Sequence, residues 1–400
     1  MDPSSTRIGL TKKIALVSLA IFFADASHST VIPIFPSFAQ DIGASLSMLG
    51  SYGSASALTM LLFSLPLGRL SDRYGRRKMM MPGLVLMIIV PLSYTLASSP
   101  VHLYPIRMFL GLALGLTFGN GFLLMTEISD SDTRNMAQGL YMTSMGIGFT
   151  VGPLIGGFTT KFYGSSYAFL ISSGFGVLSL LLLYFVDEKK PKSTTKKEGQ
   201  TSFFGSIRDP KIFAGGVANF LNSLMYNAVT LFFPVYGAGV GFDEAQIGTA
   251  FTARGLASTG VRLPVGSLTK HVRAFVLMVI GLLVSSLTIF SVSESSGLIL
   301  VSVLMGLQGV AYGVYLTSGN VYVASNSIED NRGTAMAVYS MFGNLSGIIN
   351  PLILGFIAET YGSQGALKFS SIMTLFGLFI VYILASRNPV DAVKSRVLNL

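Results

Sequence analysis

The chain alternates between long apolar runs and short polar segments. Most runs reach about 20 residues or more, the length that a helix needs to cross the hydrocarbon core of a bilayer. The runs are continuous and lack the alternating segments of about ten residues that mark the strands of an outer-membrane barrel. Because a backbone in lipid must satisfy its own hydrogen bonds, the runs predict helices. The twelve predicted spans cover residues 13–36, 45–70, 79–97, 101–128, 135–160, 166–186, 211–235, 245–268, 274–292, 297–325, 333–358 and 365–386.

The composition favours a membrane protein over a water-soluble one. Of the 400 residues, 51% are hydrophobic and 11% are charged, and the mean hydropathy is +0.63. Soluble domains carry about 25% charged residues. The first run could be mistaken for a cleaved signal peptide, since Lys12 and Lys13 precede it and Ala24-Asp25-Ala26 mimics a cleavage site. We expect no cleavage, because the run continues to Pro36.

The basic residues predict the orientation in the membrane. A net charge of +9 would suggest a nucleic-acid partner for a soluble protein. Here most Lys and Arg lie near the two termini and in the loops after spans 2, 6 and 8. Such loops stay in the cytoplasm, so we expect cytoplasmic termini and no nucleic acid. Residues 187–210 are predicted to be a cytoplasmic linker between six-helix halves at 1–186 and 211–400.

The two halves repeat each other at an offset of 198 residues. At this offset R-N-M-A-Q-G-L-Y, which begins at Arg134, aligns with R-G-T-A-M-A-V-Y, which begins at Arg332, and Pro36 aligns with Pro234. Parallel repeats of this kind are typical of transporters whose halves rock about a site between them. The duplication therefore predicts a transporter with its site between the halves.

The loop after the second span holds the most specific motif of the chain, G-R-L-S-D-R-Y-G-R-R-K, from Gly68 to Lys78. A generic basic loop would satisfy the orientation rule, but this combination of Gly, Asp and Arg is more specific. Glycine permits a tight turn or a close helix approach. The charged groups can pair with each other and with helix ends.

With this motif the chain resembles the major facilitator superfamily over its whole length. R-M-F-L-G-L-A-L-G in span 4 is similar to the family's Arg-containing motif, and A-D-A-S-H-S-T-V-I-P-I-F-P in span 1 resembles twelve-helix drug:proton antiporters, including tetracycline exporters. These segments also resemble the vesicular amine transporters. The resemblance implies an all-α integral membrane fold of twelve helices, in two six-helix halves related by pseudo-twofold symmetry.

The resemblance also implies a conformational gate at the loop. By this resemblance Asp72 meets the N-terminus of span 11, where the helix dipole favours an anion, and Arg76 pairs with Glu127. These contacts would join the halves on the cytoplasmic side in an outward-facing state. Glu127 could instead be an ordinary interfacial carboxylate. The gate residues implied are Gly68, Asp72, Arg73, Gly75, Arg76 and Glu127.

Span 5 carries the pattern G-x-x-x-G-P-x-x-G-G, which resembles a motif of exporters that work as antiporters. Small residues at this spacing also let any two membrane helices pack closely. The Pro and the paired Gly make the pattern more specific, so it favours antiport without demonstrating it. Its residues are Gly148, Gly152, Pro153, Gly156 and Gly157.

Two titratable groups, Asp25 and His28, lie within the first span. Ionisable groups are costly inside a bilayer and usually face a cavity. Ser18, Asp25 and Ser29 recur at helical spacing, so Asp25 is predicted to face the bundle interior. We expect Asp25 to be the proton-coupling site, with His28 beside it as a cavity wall or a second proton carrier. The alternative for Asp25 is a fixed salt bridge with Arg107 in span 4.

The predicted substrate cavity combines cations with neutral polar groups. Spans 4 and 8 each supply an Arg, although either could serve only to hold helices together. Spans 7 and 10 each supply an amide and a Tyr one turn apart. Such a wall suits an amphipathic organic substrate, although the same groups could be interhelical hydrogen-bond partners. The predicted cavity residues are Arg107, Asn222, Tyr226, Arg254, Gln308 and Tyr312.

These features predict a secondary transporter that exports small amphipathic compounds in exchange for protons. The alternatives are an importer or uniporter of a nutrient, organic anion or lipid, and a membrane sensor that does not transport. There is no P-loop for ATP drive, and three His without Cys offer no metal cluster. We therefore expect no enzyme activity, metal or cofactor. We expect a multi-pass monomer of the cell (inner) membrane whose partners are substrate, protons and the bilayer.

Overall fold

The computed structural model describes residues 3–187, 203–327 and 331–386, and most of this part is helical. Most of the predicted linker lies outside the described residues, as do the basic residues of the C-terminal tail, Arg387, Lys394 and Arg396. The helices of the first half are α1 (Pro3–Val31), α2 (Phe35–Asp41), α3 (Leu46–Tyr74), α4 (Arg76–Thr95), α5 (Leu103–Leu114), α6 (Asn120–Ile128), α7 (Arg134–Tyr163) and α8 (Ser165–Tyr184). A 3-10 turn at Pro100–His102 precedes α5, and a π-helical segment at Gly115–Gly119 joins α5 to α6.

The short helix α9 (Phe203–Arg208) lies within the predicted linker. The helices of the second half are α10 (Pro210–Gly239), α11 (Glu244–Leu268), α12 (Ala274–Ser293), α13 (Leu298–Ser325) and α14 (Arg332–Ser386). Gly362, with φ 74°, interrupts α14 and divides it into two rods. Gly164, with φ 91°, separates α7 from α8 at the equivalent place, 198 residues earlier. The repeat seen in the sequence thus has matching chain turns.

Local sequence signals explain where several helices begin and end. Ser45 accepts a hydrogen bond from the backbone N–H of Met48 at the start of α3, and Asp209 caps α10 in the same way. A side-chain oxygen at this position satisfies amides that have no partner inside the helix. Gly75, with φ 102°, ends α3 and begins α4, a backbone conformation that favours glycine. The tight turn expected in the loop motif is therefore at Gly75.

Eight helical segments of the described chain are long and apolar enough to cross a membrane. The difference from the twelve predicted spans arises at α7, α10 and α11, which are absent from these eight, and at α14, which counts once although Gly362 interrupts it. The three absent helices carry many Gly and polar residues that bury against other helices. The hydropathy of α7, α10 and α11 is consequently below that expected of a continuous apolar span.

The two halves touch at one end of the bundle, which we call the closed end. There Ser47 and Ser54 of α3 meet α14: the Ser47 backbone N–H donates to Glu359 Oε2 (2.9 Å), and Ser54 Oγ donates to the Ile348 carbonyl (2.6 Å). Between α7 and α11, Lys161 Nζ lies 2.9 Å from Asp243 Oδ2. Glycines bring these helices within backbone contact, since a Cβ added to Gly50 would lie 2.0 Å from the Pro351 carbonyl oxygen.

At the opposite, open end the same helices face free space. Leu62 near the end of α3 is 63% exposed. A Cβ added at Gly68 of α3, at Gly266 of α11 or at Gly333 of α14 would meet no heavy atom within 4 Å. The helices of the two halves therefore diverge from the closed end towards the open end.

The buried apolar clusters follow the same division. The largest cluster joins the halves at the closed end and includes Phe35 and Tyr52 of the first half together with Phe233, Phe251 and Leu354 of the second. The other two described clusters lie towards the open end. One is built only from residues of the first half and the other only from residues of the second. Each half thus keeps a core of its own where the two are apart.

Candidate substrate cavity and intramembrane charges

A cavity of about 160 Å³ lies among α1, α3, α4, α5 and α10. Four of these helices belong to the first half and one to the second. Apolar side chains such as Val31, Val90 and Leu110 form much of its wall. The polar and ionisable groups on the wall are Ser27, His28, Ser56, Tyr94, Arg107, Tyr226, Asn227 and Thr230.

Arg107 supplies the guanidinium group on the cavity wall. Its Cζ lies 3.3 Å from the centre of the Phe35 ring, so the aromatic face covers one side of the cation. Ser56 Oγ donates to the Arg107 carbonyl (2.6 Å), which fixes α5 against α3. The Arg107 Nε is shielded from solvent and has no hydrogen-bond partner. The hydroxyl of Tyr94, on the same wall, is also buried without a partner.

Asp25 lies deep in the bundle, with 3% of its surface exposed. It does not line the cavity and packs instead towards α7, where a Cβ added to Gly148 would lie 3.0 Å from the Asp25 Cβ. Its Oδ2 is buried and has no hydrogen-bond partner. The ion pair with Arg107 considered from the sequence is not formed within 4 Å in the described chain, since Arg107 is stacked on Phe35. Arg262 of α11, in the other half, interacts electrostatically with Asp25.

Arg254 of α11 is completely buried but does not line the cavity. Its Nε donates to Gln308 Oε1, and Gln308 Nε2 donates in turn to Ser285 Oγ (3.1 Å). The guanidinium carbon lies 4.8 Å from the centre of the Tyr312 ring and 5.5 Å from that of Tyr226. Its two terminal nitrogens have no hydrogen-bond partner. The guanidinium of Arg254 is therefore enclosed by aromatic rings and lies behind Tyr226, outside the cavity.

The structure separates the residues predicted for the cavity into two groups. Arg107 and Tyr226 line it, and His28 joins them. Asn222, Arg254, Gln308 and Tyr312 do not, and the last three form the buried site around Arg254. Sequence reasoning missed Tyr94 as a cavity residue, because a Tyr among apolar residues gives no signal of the face it occupies. Thr230 was also missed, although it lies one turn from Tyr226.

The loop motif after α3 forms a compact charged cluster at the open end. Arg76 pairs with Asp72, and its Nε lies 2.9 Å from Glu127 Oε1 at the end of α6. The side chain of Asp72 is 69% exposed, consistent with halves that are apart at this end. Arg73 stacks near the ring of Tyr74, with its Cζ 5.4 Å from the ring centre.

The glycines of α7 face two different helices. Cβ atoms added at Gly148, Gly152 and Gly156 would come within 2.6 Å of α1, the nearest contact being Ser29 Oγ at 2.0 Å from Gly152. Gly157 faces α11 of the other half, where a Cβ would lie 2.3 Å from the Glu244 carbonyl oxygen. Ser29 Oγ also donates to the Gly148 carbonyl (3.0 Å). The small residues thus hold α1 on α7 and α7 on α11.

Comparison with known families decides the class of the protein. The sequence model of the Major Facilitator Superfamily matches residues 17–243 and 215–398. The chain belongs to the major facilitator superfamily. As a superfamily member it is a membrane transporter that acts on small molecules and is not an enzyme.

Similar proteins of the superfamily carry different descriptions. The chain is 21% identical over 386 residues to an uncharacterized MFS-type transporter of Methanocaldococcus jannaschii, covering 94% of this chain and 99% of that protein. It is 23% identical over 393 residues to multidrug resistance protein MdtG of Citrobacter koseri, covering 94% and 95%. The crystal structure of the nucleoside transporter NupG superposes with a TM-score of 0.78 at 12% identity, covering 94% of this chain and 100% of that one. That likeness concerns the fold alone.

Proposed function

We propose that this superfamily member is a proton-coupled exporter of small amphipathic compounds that works by alternating access. Its similarity to multidrug resistance protein MdtG supports export of drug-like compounds. The proposal includes twelve spans in two pseudo-symmetric halves, cytoplasmic termini, and a monomer in the cell (inner) membrane. The chain turns at Gly164 and Gly362, 198 residues apart, support the pseudo-symmetry.

The observation that carries the proposal is the buried carboxylate of Asp25. A charged group deep in a membrane bundle is costly and is retained for function. Its Oδ2 has no hydrogen-bond partner, and Arg262 across the divide between the halves interacts with it electrostatically. A movement of the halves changes the distance between these two groups. Asp25 can then bind a proton in one state and release it in the other, which couples proton movement to the conformational cycle.

The contacts between the halves fit one state of such a cycle. With the basic loops in the cytoplasm, the closed end faces outwards and the open end faces the cytoplasm. The closed contacts at Ser47, Ser54 and Gly157 block exit to the outside. A compound from the cytoplasm or inner leaflet would reach the cavity from the open end. Opening of the closed end then releases it outside.

The test is transport by purified protein in liposomes. An imposed pH gradient, acidic on the side to which substrate moves, should accelerate transport of a fluorescent amphipathic compound by wild-type protein. Asp25→Asn should remove this acceleration, because an amide cannot take up and release a proton as a carboxylate does. Glu294→Gln is the matched control, since Glu294 is a carboxylate whose described partner is Lys368 within the same half. It should behave like the wild type.

Three results would separate the alternatives. Transport indifferent to the pH gradient and to Asp25→Asn would refute proton coupling and leave a uniporter. Acceleration only when the gradient is reversed would indicate import with protons. No transport of any compound from a broad panel, by folded protein, would favour the sensor.

A further inference from the structure

The cavity beside Arg107 has an electrostatic character that the proposed function does not specify. The residues that line it, all within the described chain, include one Arg and one His but no Asp or Glu. Asp25, the nearest carboxylate along the chain, faces α7 instead. The permanent charge on the wall is therefore positive. A cationic compound would meet an unbalanced Arg here without a carboxylate to offset it.

Two hydrogen-bond donors beside the cavity lack an acceptor, which indicates the kind of ligand group that would suit it. The Arg107 Nε and the Tyr94 hydroxyl are both buried and both lack a partner. A buried donor without a partner is unfavourable, and an acceptor on a ligand in the cavity would supply one. Both groups, together with His28, line the same cavity. An anionic oxygen pair placed here would satisfy Arg107 and Tyr94 together.

The remaining wall defines the body of the ligand. Val31, Met87, Val90, Leu110 and Leu231 supply an apolar lining that continues from the charged pole. A volume of about 160 Å³ accommodates one ring system with a short chain. Phe35 already occupies one face of the guanidinium, so the ligand approaches its edge. The edge of a guanidinium matches a carboxylate in hydrogen-bond geometry.

We propose that the cavity binds organic monoanions, namely carboxylates on a single apolar ring-sized body, through Arg107 and Tyr94. This rests on the proposed function in taking the cavity as the place where the transported compound binds. Arg254 is not assigned as the anion site, because its side chain is completely buried and does not line the cavity.

The test uses three ligands that share one apolar body and differ in charge: phenylbutyrate, phenylbutanol and phenylbutylamine. Binding to purified wild-type protein in neutral-lipid nanodiscs is measured by calorimetry. The carboxylate should bind about tenfold tighter than the alcohol or more, as one charge-assisted hydrogen bond contributes, and the amine should bind most weakly. Equal or tighter binding of the alcohol or the amine would overturn the proposal.

Substitutions test whether Arg107 and Tyr94 produce the preference for the carboxylate. Arg107→Gln should reduce phenylbutyrate binding to the level of phenylbutanol, and Arg107→Lys should retain part of the preference. Tyr94→Phe, which removes only the unpaired hydroxyl, should weaken binding of phenylbutyrate but not of phenylbutanol. This variant keeps the test valid if Arg107→Gln fails to fold. Arg273→Gln removes an exposed Arg at the start of α12 and should change nothing. A carboxylate preference that survives in Arg107→Gln or Tyr94→Phe would refute the assigned residues.

Two further measurements distinguish binding of a soluble anion from binding of a lipid headgroup, and failure of the anion site from failure of the proposed transport function. Nanodiscs with added phosphatidylglycerol test the other source of an anionic headgroup, and loss of phenylbutyrate binding there would overturn the assignment to a soluble anion. Flux of the three ligands into liposomes tests transport. Carboxylate binding without flux of any ligand would refute the proposed function and leave the anion site standing. Flux of the amine but not of the carboxylate would refute the anion site and leave transport standing.

Discussion

Gly157 shows how a single residue controls contact between the halves. It lies on α7 of the first half, and a Cβ at this position would meet the Glu244 carbonyl oxygen at 2.3 Å and the Gly248 Cα at 3.1 Å. Both atoms belong to α11 of the second half. In the proposed alternating-access cycle, this contact exists only while the closed end is closed. The size of residue 157 therefore affects one conformation and not the other.

Gly157→Ala should shift the protein towards a state in which the closed end is open. Overpacking of this kind costs about 1–3 kcal/mol, which changes a two-state population about fivefold or more. Because the chain contains no Cys, Ser54→Cys supplies a single reporter thiol at the closed end. Its reaction with a membrane-impermeant maleimide should be faster in Gly157→Ala.

Gly174→Ala is the control for this substitution. Gly174 lies in α8, is exposed, and a Cβ there would have no heavy atom within 4 Å. Its thiol labelling should equal that of the parent carrying Ser54→Cys alone. Unchanged labelling in Gly157→Ala would show that the α7–α11 contact does not hold the closed end.

At the scale of the elements, the start of α11 combines a helix cap with an interhelical ion pair. Asp243 accepts from the Gln246 backbone N–H (2.8 Å), and Gln246 Oε1 accepts from the Asp243 backbone N–H (3.0 Å). The other carboxylate oxygen of Asp243, Oδ2, lies 2.9 Å from Lys161 Nζ of α7. Burial alone would raise the pKa of Asp243, but the hydrogen bonds from Lys161 and the helix amides outweigh it and lower the pKa below its ordinary value.

Substitutions at Asp243 should separate the cap from the ion pair. Asn caps helices as well as Asp, so Asp243→Asn loses only the partly exposed ion pair, about 0–1 kcal/mol. Asp243→Ala should lose the cap as well, about 1 kcal/mol more. Unfolding temperatures in detergent should therefore fall in the order wild type, Asn variant, Ala variant.

The pH dependence of this contribution follows from the lowered pKa. The stabilisation is present above the unfolded pKa of about 3.9 and is lost as the pH falls through the folded pKa below it. The difference between wild type and Asp243→Asn should thus be constant at neutral pH and decrease below about pH 4. Lys368→Gln, which breaks the pair of Lys368 with Glu294 within one half, controls for general loss of an ion pair. An Asn variant as unstable as the Ala variant would contradict the separate role of the cap.

At the scale of the whole molecule, the loop motif lies at the open end, away from the cavity. Asp72 pairs with Arg76 and is largely exposed, so it contributes little to holding this conformation. In the opposite conformation of the proposed cycle, with the open end closed, the halves would approach each other there. The proposed gate role of Asp72 belongs to that second state. A defect at Asp72 should consequently affect the cycle and not the binding of substrate.

Asp72→Asn should leave the protein in the membrane and leave equilibrium binding of a cavity ligand unchanged, while strongly reducing flux in liposomes. Asp132→Asn is the matched control, because Asp132 is an exposed carboxylate in the loop before α7. It should transport like the wild type. Normal flux by well-folded Asp72→Asn would refute the gate role.

Much of the fold could be predicted from the apolar runs and the repeat. The predicted boundary between spans 11 and 12 falls at the interruption at Gly362, and the predicted span 5 agrees closely with α7. How the site residues group together could not be predicted. Arg107, His28 and Tyr226 line the cavity, whereas Arg254 and Gln308 lie together outside it. Helical spacing gives the face a residue occupies but not which neighbouring helix covers that face.

The sequence by itself determined the membrane class, the duplicated halves and the presence of a few costly intramembrane charges, because hydropathy and periodicity depend only on local order along the chain. Only the tertiary structure decided how those charges are distributed. It placed Arg107 over Phe35 at the cavity and turned Asp25 towards Gly148, two groups that the sequence allowed to pair. Their separation depends on how α1, α5 and α7 rotate and pack, which is set by long-range contacts.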